Sequence, residues 1–502
     1  MGDALNLSMF RAYDIRTPAR NLPPELVQRL AAAEARYFRE VLETNCVLLA
    51  HDARQTGPEC LTLAADEFRR AGLTVLYLPG PCSTCYFYFV ASCYPEAAGV
   101  MIGASHNPAG DTGQKILSPG LRPIAAATGP AGGLDEIRRL YQLGSACGPV
   151  AGGKVRAVDR MGEYLTFSRE LAEVERGELR GLRIFQDYLH GAAGREMMLG
   201  FEEAGAELSA EHFAADGRFP LGDPNPVKAD VIRAGLARFQ AGDFHLANFF
   251  DGDGDRIDFY HGDGRYVSSS FVYAALLPEI RRHFAGQGSG VYADLKSSPL
   301  AVIEMARSGL SVDIIRNGHS QIKHQLYAVP DRLGAVEESA HFYTAFQRRG
   351  QRFCTENTLY LALLAARVWR DAPERVEHLL ERQATTVRER EWGYKFASDP
   401  QRAAALQAVQ EHFVSQGAAV TDRMADGTPL EATLMRRGLP FRVDSQTPVS
   451  GDWLQVCQRI SQSEDGLARW EVLGSDRQSV TWAKQDIARL VARCGGGREY
   501  QG

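Results

Sequence analysis

No stretch of the 502-residue chain stays apolar for the ~20 residues a membrane helix needs, so no membrane partner is expected. The amino terminus, MGDALNLSMFRAYDIR, lacks the apolar core of a secretory signal. It also places Asn6 where N-myristoylation wants Ser or Thr. The expected location is therefore the cytoplasm. A basic excess is missing too. The net charge is −6, and the cations form only short pairs such as Arg348–Arg349, so no nucleic-acid partner is expected. Cysteine is sparse and odd in number, nine in all, which points to free thiols in a reducing compartment. Cys82 and Cys85 form a CxxC with Cys93 nearby, but no second ligand pair follows at zinc spacing. A redox pair stays open beside the plainer reading, small residues packing a turn and a strand start. Gly288-Ser289-Gly290 is not a nucleophile elbow, so a serine hydrolase finds no support.

What is present is a local plan that recurs three times: a short apolar strand, a polar turn, then an Ala/Leu/Arg-rich helix. CVLLA at 46–50 runs through HDARQT into a helix over 58–71, followed by the strand LTVLYL. LRIFQDYL leads into HGAAGREMMLGFEEAG. GVYADL leads into KSSPLAVIEMARSG and then LSVDII. Strands alternating with helices predict parallel sheet in α/β layers. GSACGPVAGGK at 144–154 and HGDGRY at 261–266 break the blocks, and RVEHLLERQATTVRERE predicts a charged helix closing the third. The remainder, from about 390, breaks the plan and reads as a smaller α+β unit. The expected domains are 1–150, 155–262, 263–380 and 390–502.

Five segments carry candidate chemistry. In GVMIGASHNPAGDTGQK, 99–115, an apolar strand runs into small residues and Pro108, which cannot extend a strand ladder. Ser105 is thereby expected on an exposed turn at a strand end, where open α/β sheets bind ligands and where a serine can carry a phosphoryl group. A surface turn whose Ser and Asn satisfy only local backbone fits equally well. In DGDGDR, 251–256, Asp251, Asp253 and Asp255 alternate with glycines, so an extended or looped backbone throws the carboxylates to one side. That suits a hard oxygen-seeking cation. A calcium EF-hand is excluded, because Arg256 and Gly262 stand at its Gly and Glu positions. Arg256 beside the cation would suit a phosphate partner. VEESAH, 336–341, offers Glu337 and Ser339 to sugar hydroxyls, though a polar helix start reads as well. RISQSED, 459–465, could clamp a phosphate with Arg459, Ser461 and Ser463, a plain polar loop being the default. FRAYDIR, 10–16, places Arg11 and Arg16 among apolar residues, as a site or as an edge strand with outward cations.

Together and in this order, FRAYDIR, ASHNP, DGDGDR, EESAH and R-x-S-x-S resemble the ordered signatures of the α-D-phosphohexomutase family of bacterial phosphomannomutase/phosphoglucomutase type. HDARQT, DGRFPLGDPNP and NGHSQIK resemble it as well. The resemblance implies an α/β fold of four domains around a central cleft, three similar mixed α/β domains and a C-terminal α+β domain. It implies a phosphoserine at Ser105 and a magnesium ion held by Asp251, Asp253, Asp255 and a phosphoserine oxygen. Glu337 and Ser339 would grip the sugar, and Arg459, Ser461 and Ser463 its distal phosphate. Lys115, ten residues after Ser105, would serve as acid or base. Arg11, His106, Arg256, Lys296 and His319 would line the cleft. Lys115 is expected to act as a base through cations such as Arg256 lowering its pKa.

The implied activity interconverts hexose 1-phosphate and hexose 6-phosphate, mannose or glucose, through a hexose 1,6-bisphosphate that also serves as activator. The partners are sugar phosphates, and the chain is a monomer or homodimer. Phosphoglucosamine mutase and a catalytically weak sugar-phosphate binder are the alternatives. Several residues depart from the signatures: Gly103 for a threonine, Ala340 for a glycine, Thr17 for a glycine, and Ile460 and Asp465 for prolines.

Overall fold

The computed structural model describes residues 5–144, 150–449, 451–461 and 466–501. The chain forms two compact units. One comprises Met1–Val267, His319–Val329 and Ser339–Asp371; the other Ser268–Gly318, Pro330–Glu338 and Ala372–Gly502.

The first unit is built on two sheets. The seven-stranded sheet runs Ile15–Pro18, Asp111–Ser118, Ala98–Ile102, Cys46–His51, Thr74–Tyr77, Lys154–Ala157, with Arg122–Ile124 added beside Asp111–Ser118. Cys46–His51 pairs in parallel with both Thr74–Tyr77 and Ala98–Ile102. Asp111–Ser118 folds back antiparallel on Ala98–Ile102, so the sheet is mixed where a parallel one was expected. The reason is local: ASHNP turns the chain through a tight loop, and a short loop can return only antiparallel. Lys154–Ala157 joins the same sheet by pairing in parallel with Thr74–Tyr77. Val47, Leu49, Val75, Val100 and Ile102 fill the core under the helices Pro24–Glu40 and Gly57–Arg70.

The second sheet of this unit runs Tyr266–Val267, Ile257–His261, Leu246–Phe250, Arg183–Asp187, Glu207–Glu211. Arg183–Asp187 lies parallel to both Leu246–Phe250 and Glu207–Glu211. Ile257–His261 returns antiparallel after the DGDGDR turn. A hairpin, His341–Arg348 with Gln351–Glu356, and the helix Thr358–Asp371 complete the unit.

In the second unit, Gly290–Asp294 pairs in parallel with Ser311–Ile315 and Arg332–Glu337. The expected charged helix is shorter than its pattern. Pro373–Ala384 is helical, but Val387–Lys395 is a strand, because Thr385-Thr386-Val387 brings β-branched residues and the segment finds an antiparallel partner in Leu467–Gly474. The last sheet is six-stranded and antiparallel, in the order Ala419–Arg423, Pro429–Arg437, Leu454–Ile460, Leu467–Gly474, Val387–Lys395, Glu499–Gln501. The helices Asp399–Ser415 and Arg477–Arg493 cover it, burying Phe413, Ile487 and Val491 against Trp392, Trp470 and Val472. This is the expected α+β remainder.

Leu49 sits fully buried in a central strand, whereas Leu143 is 57% exposed at a helix end. Leu49→Ala should cost about 2–5 kcal/mol, and Leu143→Ala should stay within about 0.5 kcal/mol. Chemical denaturation followed by tryptophan fluorescence and circular dichroism checks both; equal effects would contradict this assignment of the core.

Candidate active site

The serine loop lies between the strands Ala98–Ile102 and Asp111–Ser118. Ser105 is buried rather than exposed, and its backbone takes a left-handed φ of 47°. A non-glycine residue holds that conformation only when its surroundings over-determine it, and here they do. Arg54, itself buried, donates from Nη2 to the carbonyls of Ser105 (2.8 Å) and Asn107 (2.7 Å), and from Nη1 to those of Pro108 (2.5 Å) and Asp111 (3.0 Å). Its Nε lies 3.2 Å from Asp52 Oδ2, which also accepts from the Ala104 amide at 3.2 Å. Arg16 Nη1 donates to the Ala104 carbonyl (2.6 Å) and Asn107 Oδ1 (2.8 Å) while its Nε pairs with Asp14. Arg11, singled out in the sequence, donates its backbone amide to the Asp14 carbonyl. Arg16 is the residue of that segment that reaches the serine loop.

The second loop, 251–256, follows the strand Leu246–Phe250. Its three carboxylates are buried and offer oxygens within 4.8 Å of one another. Gly252 lets this loop approach the first: a Cβ there would stand 2.7 Å from the Ser105 carbonyl oxygen. Ser105 Oγ donates to Asp251 Oδ2 at 2.9 Å and lies 3.3 Å from His106 Nδ1. Thr84, at the start of the helix Thr84–Cys93, donates to Asp253 Oδ2 at 2.7 Å. The neighbouring Cys82 and Cys85 are buried free thiols, Cys85 donating to the Gly254 carbonyl at 3.5 Å, so the CxxC packs a turn and a helix start.

Lys115 Nζ bridges Asp253 Oδ2 (2.6 Å) and Asp255 Oδ2 (2.5 Å). Burial alone would lower its pKa, but the two carboxylates override burial and hold it well above the usual lysine range. The expectation of a lysine depressed by neighbouring cations is therefore corrected: in this geometry Lys115 is a charged donor. Asp251 is raised as well, by burial and by Asp253 and Asp255, which for a carboxyl favours the neutral form. Asp253 stays well below the usual range, because Lys115 and the Thr84 hydroxyl outweigh its burial. Burial, Arg256 and Arg16 push the His106 imidazole well down, leaving it neutral.

Arg256 donates from Nε to His341 Nε2 at 3.0 Å. Since arginine keeps its proton, a neutral His341 carries its own on Nδ1, which faces Glu356 Oε1 (3.4 Å) and Asp255 Oδ1 (3.8 Å). Glu356 in turn pairs with buried Lys323 at 2.7 Å, and Lys323 donates to the Tyr88 hydroxyl at 2.8 Å. His319, also picked out in the sequence, stands 3.9 Å from Asp14. Ser339 lies part-buried in the turn before the strand His341–Arg348.

The second unit holds the other expected residues. Glu337 Oε1 accepts from the Gly318 amide (3.1 Å) and Asn317 Nδ2 (3.3 Å). It ends a strand, so the polar-helix reading of VEESAH fails. Lys296 is part-buried, and Glu391, Asp294 and Glu471 raise its pKa against desolvation. Arg459 donates to Glu391 through Nε (2.9 Å) and Nη2 (2.8 Å). Ser461 is buried beside it in sequence, and Ser463 lies outside the described residues. Arg54, Asp52, Thr84, Lys323 and Glu356 were not singled out in the sequence; HDARQT carried a signal for Asp52 and Arg54, and NGHSQIK one for Lys323.

Profiles described as phosphoglucomutase/phosphomannomutase, alpha/beta/alpha domain I and domain II, match residues 7–128 and 162–264. A phosphomannomutase of Salmonella montevideo is 28% identical over 428 residues, covering 83% of this chain and 88% of that protein. Together these matches indicate the α-D-phosphohexomutase family. Among solved structures, a phosphoglucomutase/phosphomannomutase family protein of Burkholderia thailandensis superposes with a TM-score of 0.78 at 20% identity, covering 98% of this chain and 99% of that one. An Aspergillus fumigatus N-acetylphosphoglucosamine mutase, in complex with GlcNAc-6P and magnesium, superposes with a TM-score of 0.53 at 13% identity, covering 97% of this chain and 96% of that one. The phosphohexomutase fold is thus shared along nearly the whole length.

The carboxylate set fits a hard divalent cation on this chain's own evidence. Among the described residues, Asp253 Oδ1 and Asp255 Oδ1 are buried without a hydrogen-bond partner, and oxygen-only donors suit magnesium. Arg54→Met would strand Asp52 and release four loop carbonyls. It should cost roughly 3–5 kcal/mol and speed amide exchange over 104–111. Thermal melting with hydrogen-exchange mass spectrometry checks this; unchanged exchange in that loop would remove Arg54 as its support.

Proposed function

We propose that this phosphohexomutase moves a phosphoryl group between the C1 and C6 hydroxyls of mannose or glucose, with Ser105 as the carrier. The observation that carries the reading is Ser105 Oγ donating at 2.9 Å to Asp251 inside a buried carboxylate triad bridged by Lys115. In the first transfer the Oγ–P bond of phospho-Ser105 breaks as a sugar hydroxyl oxygen bonds to phosphorus, giving a hexose 1,6-bisphosphate. In the second, the bond from the other phosphorus to its sugar oxygen breaks as Ser105 Oγ bonds to that phosphorus; in each transfer the attacking hydroxyl gives up its proton and the departing oxygen takes one up. Phosphoryl transfer of this kind needs positioning and charge neutralisation above all.

Asp251, Asp253 and Asp255, with an oxygen of the serine phosphate, would hold magnesium, which when bound offsets charge on the transferring oxygens. Lys115 supplies a fixed positive charge and a proton, and it acts as a base only after leaving both carboxylates. Arg54 and Arg16 hold the loop that presents Ser105. Arg256, oriented by His341, is placed to pair with a phosphate, and His106 and His319 line the site. Glu337 and Ser339 are the ligands for sugar hydroxyls, Lys296 assists, and Arg459, Ser461 and Ser463 take the distal phosphate. The four-domain division belongs to this proposal, with the first domain extended to 157, as do the cytoplasmic location and the bisphosphate activator.

Ser105→Ala should reduce turnover about 10³-fold or more while leaving the melting temperature near that of the wild type. Phosphorus NMR of mannose 1-phosphate, glucose 1-phosphate and glucosamine 6-phosphate, with magnesium and a trace of the matching bisphosphate, measures it. Migration of phosphate between C1 and C6 in the wild type supports the mutase and ranks the sugars. Release of free phosphate alone, or wild-type rates in Ser105→Ala, would overturn it.

A further inference from the structure

In the six-stranded sheet, Arg459 and Arg469 stand directly opposite each other on the antiparallel strands Leu454–Ile460 and Leu467–Gly474. Like charges in that register repel, so an anion is needed between them. It comes from a third strand. Glu391 Oε2 accepts from Arg459 Nε at 2.9 Å, and Glu391 Oε1 accepts from Arg459 Nη2 at 2.8 Å and from Arg469 Nη1 at 3.0 Å. This is the two-pronged geometry by which a guanidinium also reads a phosphate.

The placement of Glu391 is built into the strand. Pairing between Val387–Lys395 and Leu467–Gly474 shifts register between Glu389 and Trp392, and an irregularity of that kind re-aims a side chain. The three side chains remain within reach of solvent, at 18% exposure for Glu391, 21% for Arg459 and 13% for Arg469. Lys296 lies in the same field: Glu391 heads the groups that favour its charged form. Arg459, Lys296 and Arg469 likewise keep Glu391 ionised against its burial, at a pKa of about 2.

We propose that Glu391 is a built-in competitor for the phosphate that the Arg459 fork binds, and that it sets how tightly this protein holds a phosphorylated ligand. The inference rests on the reading of Arg459 as a phosphate clamp. A phosphoryl group brings more charge and a third oxygen, so it can displace a single carboxylate from the fork. Glu391 then has to leave, and every binding event carries the cost of moving it. A weakened clamp suits a site that must release one phosphate end and accept another.

The test uses the full chain with inorganic phosphate and mannose 1-phosphate as probes, by titration calorimetry and thermal melting. Glu391→Gln should bind both probes at least about tenfold more tightly, since a like charge is removed from the fork. Unchanged or weaker binding in a folded Glu391→Gln protein makes Glu391 a plain counter-ion and overturns the proposal. If Glu391→Gln does not fold, Glu391→Asp decides, because it keeps the charge but shortens the reach: tighter phosphate binding supports competition, and unchanged binding overturns it. Arg459→Met separates the two levels. If it weakens phosphate binding while the Glu391 variants do not strengthen it, only the competitor fails. If it leaves phosphate binding unchanged, the clamp reading fails and the proposal with it.

Discussion

Three carboxylates closed off from water within five residues, Asp251, Asp253 and Asp255, set the terms for the first unit. Such a cluster is untenable without positive charge close by. Lys115 supplies it from the sheet of the first block, and Arg256 from the end of the loop itself, 3.7 Å from Asp251. Thr84 adds a hydroxyl. The carboxylates therefore tie together segments that begin more than a hundred residues apart, and they do so where Ser105 is presented. The same need decides the chemistry of Lys115, whose charge is required by its neighbours before any substrate arrives.

The second unit meets the same constraint with the signs exchanged. Arg388 is held by Glu338 at 2.7 Å and by Glu471, and it donates to the Lys296 carbonyl at 3.2 Å. Arg459 and Arg469 share Glu391. Here the cations are the groups that the proposed function offers to a ligand, and the carboxylates are the partners the structure gives them. In both units a buried or part-buried charge is balanced by opposite charges inside the protein.

What could be read in the sequence follows from how far each interaction reaches along the chain. The repeated strand–turn–helix blocks were legible because periodicity is local: Cys46–His51, Arg183–Asp187 and Gly290–Asp294 all fall where the apolar runs stand. The convergence of the Asp residues was legible because alternation along one loop fixes it. Burial of Ser105 was not, since it depends on Arg54 reaching across fifty residues to four carbonyls. Nor was the chain of Lys323, Glu356, His341 and Arg256, whose members come from four separate elements. The segment from Val387 misled for the same reason. Its charges suit a helix, and only its pairing with residues 467–474 makes it a strand.

Two departures from the family signatures look alike in sequence and differ in space. At Gly103 a Cβ would collide with Asp52 Oδ2, the carboxylate that holds both Arg54 and the Ala104 amide. Glycine there makes room for the anchor of the serine loop, so the substitution and the anchor form one arrangement. Ala340 stands where a glycine is usual, and it keeps the glycine's conformation, with φ at 71°. A side chain in that region is strained by roughly 1–2 kcal/mol. Its carbonyl still accepts from the Ile257 amide at 3.0 Å, just beyond the carboxylate loop. The first departure is thus absorbed by the surrounding structure, whereas the second is imposed on the residue by it. The backbone next to the carboxylates holds its path even where the residue that would favour that path is absent.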